Sequence, residues 1–169
     1  NLSTSEVSSS TVTAGDTQVL TNYTTPGDAD LNSIIILHST SAITDVPVEG
    51  TTYTGGETIG SATVACVDTT VSTSTADSCL TTGLEEGGIY HFKVFAKDSY
   101  GNYSTGLVPT GSPVTIPIYT TISDGINPIS VTITPGATAT SVNAFAFQTG
   151  TSTDTITNIT LNISNASST

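Results

Sequence analysis

The chain contains no Trp and no Met, only two residues of the Lys and Arg types together, and two cysteines. Each scarcity excludes something. Arg is missing altogether, and the two cations are Lys93 and Lys97, against fourteen acids, for a formal net charge of −12. A surface of that sign cannot neutralise phosphates, so nucleic acid is excluded as a partner. An anionic membrane face is excluded on the same ground. Without Arg, planar bidentate recognition of phosphate or carboxylate substrates is disfavoured. No apolar run approaches the length of a membrane span; the longest aliphatic stretch is Ile34-Ile35-Ile36-Leu37. Strong helix formers are few as well.

What is present is Thr, Ser, Val, Ile and Tyr. Branching at Cβ restricts χ1 in a helix but packs well on a pleated surface, so the composition favours strands. Turn signals recur at short intervals: Ala14-Gly15-Asp16, Pro26-Gly27-Asp28, Gly55-Gly56, Glu86-Gly87-Gly88, Tyr100-Gly101-Asn102, Asp124-Gly125 and Pro135-Gly136. Short strands between such turns read as an all-β sandwich rather than βαβ units. The expected strands are 7–13, 17–24, 33–39, 58–67, 78–82 and 89–97, with a last one inside 112–119. Alternation is clearest at 89–97, where Tyr90, Phe92, Val94 and Ala96 face one way and His91, Lys93, Phe95 and Lys97 the other. Both lysines are therefore expected on the outward face, away from any internal isopeptide bond.

Cys66 and Cys79 flank a Thr/Ser-rich stretch that reads as a loop between two strands. A close pair in an acidic, Thr-rich chain reads as a disulfide formed in an oxidising, extracellular compartment. Two free buried thiols, or half of a metal site, are the alternatives. There is no initiator Met and no signal peptide, so the chain reads as a mature or trimmed product. N-x-S/T sequons occur at Asn1, Asn22, Asn102, Asn158, Asn162 and Asn165 and mark candidate glycosylation sites.

Leu84-Glu85-Glu86-Gly87-Gly88-Ile89-Tyr90 resembles the fibronectin type III pattern of a Leu, a turn, and a Tyr opening strand F. This is the tyrosine-corner arrangement, with the ring packed inward and the hydroxyl bonded back to upstream backbone. The stretch from His91 to Ser104 resembles the family's strand F and FG turn. Asn22 to Leu31 resembles the end of strand B and the BC loop, with Tyr23 where the family usually has Trp. The resemblance covers about Val7 to Tyr119 and is closest to tandem Ig-like modules of bacterial-type cell-surface and secreted proteins. It implies a fibronectin type III-like sandwich over 1–119, with Leu84 and Tyr90 as structural residues. It also implies that the BC and FG loops share one end. Asp28 and Asp30 would then meet Asp98 and Asn102 as hard oxygen ligands, for which calcium is the fitting ion. The bland reading of the same residues is turn chemistry, since Asp and Asn side chains bond nearby backbone. No other cofactor is implied.

Residues 120–169 read as a second Ig-like β unit, with strands at 129–134, 141–149 and 154–164 and with Val142, Phe145 and Phe147 as core candidates. A complete sandwich has roughly seven strands, so this unit is expected to be incomplete without a partner strand. Residues 1–13 are a candidate donated or exchanged strand.

No nucleophile–base motif, HExxH, P-loop or dinucleotide fingerprint appears, and the only histidines are His38 and His91. A two-His metal site across neighbouring strands is a minor alternative. Carbohydrate binding would draw on Tyr53, Tyr100 and Tyr103, of which Tyr100 and Tyr103 share a loop. The expected function is therefore not catalytic. The leading expectation is an extracellular structural protein, a subunit of a surface filament or layer. Copies would join head to tail by strand complementation, like a pilus. The second is an adhesin or spacer module of a larger surface protein, binding a protein or glycan through loops.

Overall fold

The computed structural model describes residues 4–124 and 145–149. The chain divides into two compact units, Asn1–Ile118 and Tyr119–Thr169. Every described element is a strand.

In unit 1, β1 (Ser9–Gly15), β2 (Gln18–Thr24) and β6 (Ala76–Thr82) form a three-stranded sheet in the order β1-β2-β6. The second sheet is built from β4 (Thr58–Ile59), β5 (Ala62–Asp68), β3 (Leu31–Ser39), β7 (Ile89–Asp98) and β8 (Val114–Thr115), in that order. Pairing between named strands is antiparallel throughout. Val12, Val19, Tyr23 and Cys79 from the first sheet meet Ile34, Ile36, Tyr90, Phe92, Val94 and Ala96 from the second. This is the core that alternation along 89–97 anticipates.

The aliphatic run at 34–37 is buried throughout, not on alternate residues. Ile34 and Ile36 enter the inter-sheet core. Ile35 and Leu37 enter a second cluster on the other face, with Ile59, Ala62, Val64, Phe95 and Tyr103. Tyr53 and Ile43, from the connection between β3 and β4, pack against that cluster. The long connection is thus a strap across the outer face of the five-stranded sheet.

Residues 58–67, read from sequence as one strand, are two. Gly60, at φ +59°, turns the chain between Ile59 and its partner Ala62. Gly-Ser is a standard two-residue hairpin turn. A Cβ on Gly60 would run into the Asp45 carboxylate, and the positive φ disfavours any other residue, so the position suits glycine. The Asp45 carboxylate in turn accepts the Ser61 amide at 3.1 Å.

Both sides of the sandwich are closed. On one side Cys66 of β5 is bonded to Cys79 of β6, with 6.7 Å between Cα atoms, so the bridge ties one sheet to the other. A register shift allows it. Ile36 pairs with Cys66 but Leu37 pairs with Val64, leaving Ala65 as an extra residue. This bulge puts Val64 in the outer cluster and turns Cys66 toward the inner core. On the other side, residues 103–116 pass between sheets. Leu107 exchanges hydrogen bonds with Val94, Thr110 bridges to β1, and Ile116 exchanges bonds with Gly87 and Gly88.

The N-terminal segment belongs to the same sandwich. Val7 is in the core, and Ser9–Gly15 pairs with β2 from Ser9↔Thr24 to Gly15↔Gln18. Within one chain, then, 9–13 pairs with β2 in cis and turns Val12 into the core.

In unit 2, β9 (Thr120–Asp124) pairs antiparallel with β10 (Phe145–Thr149), from Thr120↔Thr149 to Asp124↔Phe145. β9 was not anticipated from the sequence. β10 falls inside the expected strand 141–149. The expected strands 129–134 and 154–164, Val142, and the sequons at Asn1, Asn158, Asn162 and Asn165 lie outside the described residues.

Candidate functional site

The turns at the β2–β3 and β7 ends do adjoin: Ser99 N donates to Asp30 O at 2.8 Å. The Asp98 and Asp28 carboxylates bond within the protein itself. Asp98 Oδ1 accepts the amides of Tyr100 (2.9 Å) and Asn102 (2.8 Å), and Asn102 Nδ2 donates to Asp98 Oδ2 at 2.6 Å. Asp28 accepts the Ser5 amide at 2.7 Å and its hydroxyl at 2.9 Å. Among the described residues no group of three or more His, Cys, Asp or Glu side chains stands together as a metal site. Of the expected calcium ligands Asp28, Asp30, Asp98 and Asn102, Asp98 and Asn102 close a turn on each other, and Asp28 holds the N-terminal segment at Ser5. Burial of Asp98 opposes its charge, but hydrogen bonds from Asn102, Thr4 and Tyr100 outweigh it. Its carboxyl is held below the usual carboxylate range.

The two histidines do not converge either. His38 pairs with Phe92 and Ser39 pairs with His91, so the two imidazoles point to opposite faces of the sheet. His38 packs against the rings of Tyr90 and Phe92, with centroids at 6.0 and 6.1 Å. Burial lowers its pKa below the ordinary 6.5.

Leu84 is buried in the core, and its amide donates to Thr17 O at 3.0 Å. The Tyr90 ring is buried, and its hydroxyl accepts the Glu85 amide at 3.1 Å, which is a bond to upstream backbone. Tyr23 is buried from β2, and its hydroxyl donates to Asp68 Oδ2 on β5 at 3.0 Å, a polar link between the sheets. Burial, the bond to Asp68 and that group's charge push the Tyr23 phenol far above its ordinary value. Asp68 is itself a turn acceptor, taking the amide and hydroxyl of Thr70, each at 2.8 Å. Of the described sequons, Asn22 is exposed on β2, whereas the Asn102 amide is bonded to Asp98.

The strongest concentration of unusual chemistry lies under the strap. Gly50 N donates to Gly101 O at 2.8 Å, and the Tyr103 hydroxyl donates to Thr51 O at 2.8 Å. Glu49 turns its carboxylate to the Tyr103 amide, at 3.1 and 3.2 Å. The Val48 amide donates to the Tyr53 hydroxyl at 3.1 Å. Lys97 points outward from β7, as its position in the alternation requires, but it is buried beneath the strap rather than solvated. Its Nζ donates to Thr51 O at 3.1 Å and Thr52 Oγ1 at 3.0 Å, and stands 5.4 Å from the centroid of Tyr103. Between strap and sheet is a cavity of about 380 Å³, bordered by Ser33 and Ile35 of β3, Thr52 and Tyr53 of the strap, Lys97 and Tyr103. The Tyr53 and Tyr103 rings are 6.3 Å apart and tilted by 57°. Tyr100, which shares a loop with Tyr103, is 79% exposed. Sequence reasoning missed this cavity because its walls come from four separate stretches, and no local pattern announces that the strap folds back.

Comparison with protein-family models, curated proteins and solved structures finds no match to this chain.

Proposed function

We propose that the chain is a non-enzymatic structural module of an extracellular surface assembly. The observation that carries this reading is the two-sided closure of unit 1. A disulfide between sheets, a sheet-crossing segment at 103–116 and a strapped outer face make a body suited to persist outside the cell. The disulfide is consistent with an oxidising compartment. Among the described residues, no helix is long and apolar enough to cross a membrane. Catalysis would want a nucleophile, a base and an orienting group in one place. Here the histidines diverge, Asp68 and Asp98 serve turns, and Asp28 holds the N-terminal segment at Ser5.

In a filament or layer, copies would join head to tail by strand pairing, since a heterologous contact propagates. Within unit 1, β6 offers a ladder edge, because its only strand partner among the described residues is β2. Residues 9–13 are the poorer donor, since their five paired positions with β2 would have to open first. The second reading, a spacer or adhesin module in a larger surface protein, is favoured by Val7 and β1 completing their own sandwich. Light scattering across a concentration series, with electron microscopy of the same samples, separates the two. Linear oligomers growing with concentration are expected for assembly. A monomer at every concentration, with β9 and β10 protected from amide exchange, overturns assembly and leaves the spacer.

A further inference from the structure

Lys97 is an anomaly of charge. The protein has fourteen acids and two cations, yet among the described residues the more buried cation, Lys97, has only neutral hydrogen-bond partners. A charge taken out of water is costly unless it is paired and hydrogen-bonded. Lys97 retains two hydrogen bonds, to Thr51 O and Thr52 Oγ1, and the face of Tyr103. An ammonium has three N–H donors, so one donor is not taken up by those contacts. Glu49 lies on the same strap and would be an obvious counter-charge, but its carboxylate is turned to the Tyr103 amide.

The cavity beside Lys97 has the remaining features of a ligand site. Its volume of about 380 Å³ falls at the small end of the range for ligand pockets, roughly 300–1,000 Å³. Its rim combines two tilted aromatic rings, Tyr53 and Tyr103, with the neutral polar groups of Asn32, Ser33 and Thr54. The Tyr hydroxyls are tied back to the strap, or tie it down, so the rings are held in place before any ligand arrives. One cation, two ring faces and several neutral hydrogen-bonding groups complement a molecule with one carboxylate, several hydroxyls and an apolar C–H face.

We propose that the cavity between the strap and the five-stranded sheet binds a monosaccharide-sized acidic sugar, a hexuronate. Its carboxylate accepts from Lys97 Nζ and its ring lies against Tyr53 and Tyr103. The inference does not depend on whether copies of the chain assemble. It gives a recognition role to the remaining N–H of a residue whose other donors hold the strap. A plain aliphatic carboxylate would satisfy Lys97 but leave the hydroxyl-rich rim unanswered; a neutral sugar would do the reverse.

The test is a titration of the folded chain, followed by amide ¹H–¹⁵N shifts, with glucuronate, glucose and acetate as separate probes. Glucuronate is expected to give saturable shifts at Ser33, Thr52, Thr54 and Tyr103. Glucose and acetate should bind at least fivefold more weakly at those amides. Lys97→Met, which keeps an unbranched apolar stem and removes the charge and its donors, should weaken glucuronate at least tenfold. Tyr53→Ala should weaken glucuronate while leaving acetate unchanged, and it preserves Lys97 should Lys97→Met fail to fold. The proposal is overturned if glucuronate causes no saturable shifts, if glucose or acetate binds as well, or if folded Lys97→Met binds like the parent.

Discussion

Reduction of the Cys66–Cys79 bond tests how unit 1 is held together. The bond closes a short loop, with a sequence separation of 13, across two sheets. In the chain-entropy description a loop of this size is worth about 3 kcal/mol, acting by restricting the unfolded chain. Unit 1 runs to Ile118. At roughly 2.1 cal/mol/K per residue, a unit of that length unfolds with an entropy of about 0.25 kcal/mol/K. A loss of about 3 kcal/mol then lowers Tm by about 12 °C. Because Cys79 is buried, the bond is best reduced in denaturant and the protein refolded in reducing buffer. Reduction keeps both sulfurs in the core, so it isolates the cross-link from packing. Thermal unfolding by circular dichroism gives Tm, and urea unfolding gives the slope m. Loss of the cross-link lets the unfolded chain expand, so m is expected to rise as Tm falls. A Tm change under about 4 °C, or a fall in m, would refute an unfolded-state origin for the stabilisation.

Three other outcomes follow from the geometry. Tyr90→Phe removes the acceptor of the Glu85 amide and keeps the buried ring, so it should cost about 1 kcal/mol in urea unfolding. Ile36→Ala, at a fully buried site between the sheets, should cost about 2–5 kcal/mol by the same assay. The folded-state pKa of His38 is depressed by burial, so the unfolded chain binds its proton more readily. Its contribution is complete above the ordinary 6.5 and is lost as pH falls through that value. Tm should therefore decline on acidification from about pH 7.5 to about 5.5, and His38→Gln should flatten that decline.

The bulge at Ala65 shows where a sequence reading stops. By simple alternation Val64 and Cys66 share a face, and nothing local says otherwise. Only pairing with β3 places one outward against Leu37 and the other inward beside Ile36. The error at 58–67 has the same source, since Gly60 turns the chain where Asp45 approaches from a distant stretch. The acidic loops are ambiguous in sequence for another reason. The same Asp and Asn residues suit a cation or a turn, and only the structure shows Asp98 and Asn102 bonded to each other across one.

By itself the sequence determined that the described residues are all-β, that β7 turns Tyr90, Phe92, Val94 and Ala96 to one side, and that Lys93 and Lys97 lie on the other. Those are consequences of side-chain branching and a period of two, which act within a few residues. The tertiary structure alone decided that the outward side of β7 is covered. Tyr53 and Thr52 lie on the strap, and Tyr103 and Lys97 lie some fifty positions later in the chain. They meet because Ile35, Leu37 and Phe95 need a second apolar layer, and the connection between β3 and β4 is long enough to supply one. That requirement buries Lys97 without an anionic partner. No reading of periodicity could reveal it, because burial is a property of what folds over a residue rather than of the residue's own place in its strand.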